Sequence, residues 1–73
     1  ADAEGNLLRG DSLAIDSKDC VVYSEKGFSA VLGVEGLVVI HSGDALLVCT
    51  RSAVQDVRKI VEVLKSRGRT ELV

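Results

Sequence analysis

The sequence predicts a small, mainly β domain closed by one C-terminal helix, and three observations predict it. Short apolar segments follow one another along most of the chain, each bounded by turn-forming residues. The apolar bulk is Val, Leu, Ile and Ala, with one Phe and one Tyr in 73 residues, which suits β-branched side chains layered on a pleated surface. The chain then ends on an apolar strand, Asp44 to Arg51, that feeds an amphipathic segment running to Lys65-Ser66-Arg67-Gly68-Arg69.

The expected strands are Ser12 to Ile15, Val21 to Tyr23, Ser29 to Val34, Leu37 to Ile40 and Ala45 to Cys49. Leu7-Leu8 adds a sixth rung before the Gly10-Asp11 turn. Between them lie Asp16-Ser17-Lys18-Asp19, Ser24-Glu25-Lys26-Gly27, Glu35-Gly36 and Ser42-Gly43-Asp44. Gly there supplies positive φ, and Asp or Ser bonds the nearby backbone. A strand-to-strand spacing of roughly eight residues predicts a sandwich, a barrel or a coiled β array.

In–out alternation is poor in two of these strands. Leu37, Val38, Val39 and Ile40, and then Leu46, Leu47 and Val48, are apolar on both faces, the mark of strands covered on both sides. The helix covers one side, and a partner domain or subunit is expected on the other. These seven residues are the candidate interface.

Helix boundaries come from capping chemistry. Ser52 with Gln55 three residues later forms an S-x-x-Q capping box, and Gly68 is the expected left-handed stop. Val54, Val57, Ile60, Val61 and Leu64 share one apolar stripe with Ala53. That stripe is read as buried, so Ile60→Ala is expected to cost about 2–5 kcal/mol. The domain is a single unit over residues 1–73, with a β body of about 7–50 and a helix of about 53–67.

Composition excludes several function classes. Nine Lys and Arg against eleven Asp and Glu give a net charge of −2, and no basic stripe interleaves with aromatics, so nucleic acid is not an expected partner. No apolar run reaches the ~18 residues of a membrane span, and the first residues lack the layout of a signal peptide. Cys20 and Cys49 are two small hydrophobes expected in a reducing cytoplasm rather than a disulfide scaffold. The chain contains no Met and opens on Ala1-Asp2-Ala3-Glu4-Gly5-Asn6, which predicts a piece of a longer polypeptide.

No residue is assigned to catalysis, cofactor binding or metal ligation. His41 is the lone histidine, with no second ligand at metal spacing. Asp11, Asp16, Asp19 and Asp44 all lie in expected turns, where backbone bonding explains them. Gly33 and Gly36 lack the Gly-Lys-Ser/Thr and helix start of a phosphate loop.

The order of these pieces resembles the C-terminal β-helix region of bacterial mannose-1-phosphate guanylyltransferases. The likeness runs from Gly5-Asn6 and Gly10-Asp11 through Leu13-Ala14-Ile15-Asp16, Ser24-Glu25 and Ala30 to Ile40. It is strongest over Asp44 to Val48, then Gln55 to Val61 and Leu64-Lys65, and closes on Gly68-Arg69 and Glu71. His41-Ser42-Gly43 departs from it, standing where such proteins have Asp-Thr-Pro. The resemblance implies a short-stranded, left-handed β-helix type of fold closed by the helix. It also implies a parent enzyme that joins GTP and mannose 1-phosphate into GDP-mannose with Mg²⁺, while this segment holds no cofactor. The parent's catalytic groups would lie in an N-terminal nucleotidyltransferase domain, and this region would pack on that domain and help subunits form a homo-oligomer. Some relatives continue into a mannose-6-phosphate isomerase domain. The competing expectation is a free-standing β interaction module with no enzymatic role.

Overall fold

The computed structural model describes residues 2–69; Ala1 and Glu71, both used in the sequence reading, lie outside them. Four strands form one sheet in the order β1-β2-β3-β4: β1 Leu7–Ile15, β2 Val21–Leu32, β3 Leu37–Ser42 and β4 Ala45–Thr50. The first three run parallel, and β4 returns antiparallel beside β3. Parallel neighbours joined by short corners rather than crossover helices require the chain to coil, which makes the fold a β-helix. Of the three arrangements that strand spacing allowed, the coiled array is the one formed.

Coil geometry can be read from the register. Ile15 faces Leu32, Lys18 bridges to Glu35 and Val21 faces Val38, an offset of 17 positions each time. Leu7 faces Val21, an offset of 14, because the register shifts between Gly10 and Ser12 where β2 carries extra residues around Gly27. Gly10 (φ 79°) and Gly27 (φ 86°) bend their strands without ending the ladder. This corrects the strand list: Leu7-Leu8 and Ser12–Ile15 are one strand, and Val21–Tyr23 merges with Ser29–Leu32, leaving Val34 in the next corner. A turn residue inside a β-helix changes the strand's direction while its neighbour turns with it.

Val22 and Cys20 are fully buried and Val38 and Val39 nearly so; Val39 is level with Val22 on the inner face of the coil, while Val38, beside it in β3, is buried on the opposite face. Each buried valine contributes on the order of 1.5–3 kcal/mol. Polar residues share that interior: Asn6, Ser17 and Ser24 are buried and hydrogen-bonded. Ser17 Oγ donates to the Ile15 carbonyl at 2.9 Å and accepts from the Val34 N–H at 3.3 Å, tying one corner to the next. No buried side-chain nitrogen or oxygen among the described residues lacks a partner.

The C-terminal segment is less regular than one helix over 53–67. A 3-10 helix spans Arg51–Asp56, and the α-helix, α1, spans Arg58–Ser66. The cap is Thr50, not Ser52: Thr50 Oγ1 accepts from the Ala53 N–H at 3.2 Å, and Ser52 Oγ lies 3.1 Å from the Thr50 hydroxyl. Helical winding starts early because the Arg51 N–H is held by the Gly36 carbonyl at 2.8 Å, leaving Thr50 extended at the strand end. Gln55 therefore lies inside the 3-10 helix. At the other end Gly68 has φ 73°, its N–H donates to Lys65 O, and the Arg69 N–H donates to Leu64 O. Those two bonds are the Schellman pattern that a left-handed glycine permits.

The helix stripe is not core in this chain. Neither helical segment contains a buried residue; Val54, Val57 and Ile60 are 39–44% exposed, while Val61 and Leu64 are half-buried. Only the inner edge of the stripe meets the sheet.

Candidate interaction surface

Strand pairing leaves one end of the coil open. β3 pairs with the first half of β2, Val21 to Ser24, whereas Ser29 to Leu32 pair only with β1 among the described residues. β3 does not continue over that second half, because it turns back through Gly43-Asp44 into β4. Register then carries the interior face outward: Val22 is level with Val39, and Val39 with Val48. Leu46, opposite His41, lies on the same face.

The result is an apolar hollow of about 520 Å³ between the free half of β2 and β4. Val31, Val39 and His41 line its floor, with Phe28, Leu32, Leu46 and Val48 around it. Those last four are 60%, 69%, 65% and 54% exposed, so this is the most open apolar area on the sheet. A second hollow of about 450 Å³ runs between the sheet and the helix, where Ile40 and Leu47 face Val57, Ile60, Val61 and Leu64.

The structure divides the candidate interface. Val38 and Val39 are buried, and Leu37, Ile40 and Leu47 are half-buried, so β3 is covered within the chain itself. Leu46 and Val48 remain exposed. Phe28 and Leu32 line the same hollow and are exposed, and they fall outside the seven residues that the doubly apolar runs single out. Their signal was the alternation Phe28, Ala30, Leu32, which is apolar on the face opposite Val31.

A third hollow, of about 550 Å³, lies over the corners and is polar, with Glu4, Asp16, Lys18 and Glu35 around it. Among the described residues, no group of three or more His, Cys, Asp or Glu is placed to hold a metal ion. Cys20 and Cys49 are free thiols, and Cys20 Sγ donates to the Lys18 carbonyl at 3.3 Å. No helix among the described residues is long and apolar enough to cross a membrane.

Residues 10–64 match the family model for the MannoseP isomerase/GMP-like beta-helix domain. The chain belongs to that family. Relatives of this β-helix domain include mannose-1-phosphate guanylyltransferase from Salmonella muenchen, 47% identical over 70 residues, covering 96% of this chain and 15% of that protein. The mannose-1-phosphate guanylyltransferase of Escherichia coli K12 is 45% identical over 69 residues, covering 94% of this chain and 14% of that protein. Among solved structures, the crystal structure of mannose-1-phosphate geranyltransferase from Thermus thermophilus superposes with a TM-score of 0.80 at 37% identity, over 89% of this chain and 20% of that one. The β-helix chain thus spans about 15% of the length of the curated relatives it matches.

Proposed function

We propose that the chain is a non-catalytic β-helix domain of a nucleotidyltransferase that makes GDP-mannose from GTP and mannose 1-phosphate, where it serves domain packing and subunit association. Family membership and the names of its relatives support the enzyme assignment. The observation that carries the packing role is the open apolar end of the coil, with Phe28, Leu32, Leu46 and Val48 each more than half exposed. Contiguous apolar surface of this kind on a soluble protein marks a contact site.

In this reading the nucleotide, sugar phosphate and Mg²⁺ are handled by an N-terminal catalytic domain, and the β-helix adds no reacting group. Triphosphate binding needs converged backbone donors or cations with a metal, and of these hollows two are apolar and the polar one sets Glu4, Asp16 and Glu35 against a single cation, Lys18. The same reading puts the protein in the cytoplasm, where free thiols such as Cys20 and Cys49 persist.

Two measurements test it together. Sequencing the native gene product upstream of Ala1 should reveal a Gly-rich nucleotide-binding loop; an initiation codon immediately before this stretch would favour a free-standing module. Calorimetry of the 73-residue chain with GTP should give no binding tighter than about 100 μM, roughly 5.5 kcal/mol; tighter binding would contradict a purely accessory role.

A further inference from the structure

Asn6 is a polar side chain placed in the coil interior, 2% exposed, with its amide fully used. Its Nδ2 donates to the Ser17 carbonyl at 2.9 Å and to Asp2 Oδ2 at 3.0 Å, while Oδ1 accepts the Cys20 N–H at 2.9 Å. The other Asp2 oxygen, Oδ1, accepts the N–H groups of Asn6 at 2.9 Å and Glu4 at 3.0 Å. Main-chain bonds close the same loop: Asp2 N–H to Asn6 O, Gly5 N–H to Asp2 O, and Asp19 N–H to Glu4 O. The last of these repeats one coil earlier the bond from the Gly36 N–H to Lys18 O. The residues ahead of β1 are therefore built as a coil corner. A flexible linker would be Gly/Ser-rich and unbonded; this segment is neither.

We propose that the Asp2–Asn6 clasp is a rigid coupling, fixing the direction in which the chain enters the β-helix so that a domain joined ahead of it is held at one orientation to the coils. This rests on the reading of the chain as an accessory domain of a longer enzyme. Asp2 and Asn6 are positioning residues. Asn6 anchors the corner to the second coil through Ser17 and Cys20, and Asp2 locks the loop by gripping Asn6 from outside. Because Asp2 is exposed, it can be removed without opening the interior.

Asp2→Ala is the test, read in two ways. In the 73-residue chain, amide exchange at Glu4 and Asn6 should accelerate about tenfold, the factor for losing one hydrogen bond of ordinary net strength, while Val22 and Val39 keep their protection. In the full-length native enzyme, a spin label at exposed Glu62 and one on the preceding domain should give a narrow distance distribution that broadens in Asp2→Ala. Asp2→Asn, which keeps one acceptor oxygen for both N–H groups but sets an NH2 against Asn6 Nδ2, should restore part of the protection and give a distribution narrower than that of Asp2→Ala. Unchanged exchange at Glu4 and Asn6 overturns the clasp. Faster exchange with an equally narrow distribution overturns the coupling and leaves the accessory-domain reading standing. A gene product with nothing joined ahead of the chain overturns that reading, and the coupling with it.

Discussion

Asp19 and Gly36 stand one coil apart at the same corner, and both hold the left-handed backbone, at φ 53° and 65°. Gly5, at φ 81°, completes the column, and a Cβ there would lie 2.6 Å from Asp19 Oδ1. The neighbouring column pairs Asp16 at φ 51° with Gly33 at φ 67°. The corners at Asp16–Asp19 and Gly33–Gly36 thus each hold two left-handed residues three apart, aspartate in one coil and glycine in the next. Asp tolerates this backbone better than most residues with a Cβ, which is why the two corners differ in sequence and agree in shape.

Glycines in this fold do two different jobs that substitution separates. Nothing lies within 4 Å of a Cβ built on Gly36, so Gly36→Ala should lose only the backbone preference, about 1–2 kcal/mol. A Cβ on Gly10 would collide with the Ser24 carbonyl of the adjacent coil. Gly10→Ala should therefore be clearly more damaging than Gly36→Ala in urea unfolding, and equal midpoints would refute the close approach of the two coils.

Removing the Asn6 amide strands the Ser17 carbonyl and the Cys20 N–H in the interior. Asn6→Ala should cost on the order of 3 kcal/mol. That is a large share of the 5–15 kcal/mol typical of a domain, so the thermal midpoint should fall sharply or the transition should disappear.

Burial reverses the expectation from side-chain size at two positions. Val22 is fully buried and Ile60 is 44% exposed. Val22→Ala should cost about 2 kcal/mol and Ile60→Ala about 1 kcal/mol, although the latter removes more atoms. The sequence-based figure of about 2–5 kcal/mol for Ile60→Ala assumed a buried stripe. Denaturant titrations of the two variants side by side would check the order.

Asp2 gives the clasp a pH dependence. Hydrogen bonds from the Asn6 backbone, then from its side chain, hold the Asp2 carboxyl below the ordinary 3.8. Because the folded carboxyl ionises at lower pH than the unfolded one, its contribution is complete above 3.8 and is lost as the pH falls through the lower folded value. Amide exchange at Glu4 and Asn6, corrected for intrinsic rates, should lose protection only in that acid range, and Asp2→Ala should abolish the step.

Association through the open end should be apolar. The chain should self-associate at tens of micromolar or bind the catalytic domain, and added salt should not dissolve the complex. Leu32→Lys, on an exposed side chain, should weaken that association without unfolding the domain. Sedimentation in low and high salt reads both effects; a strictly monomeric wild type that ignores the catalytic domain would overturn the packing role.

The residues by themselves determined the β character, the C-terminal helical segment and the Gly68 stop, because periodicity, turn chemistry and capping act over a few neighbouring residues. They also carried the family likeness, which is a property of ordered motifs. Tertiary structure decided the rest. Whether Gly10 and Gly27 end a strand or bend it depends on the coil alongside, and Thr50 displaced Ser52 as cap because Arg51 is tied to Gly36, far away in sequence. Leu37 to Ile40 and Leu46 to Val48 read alike as apolar on both faces. Only the tertiary structure buried Val38 and Val39, one on each face of β3, and left Leu46 and Val48 exposed beyond the reversal at Gly43-Asp44. Burial is set by what the rest of the chain lays over a residue, and local pattern carries no record of that.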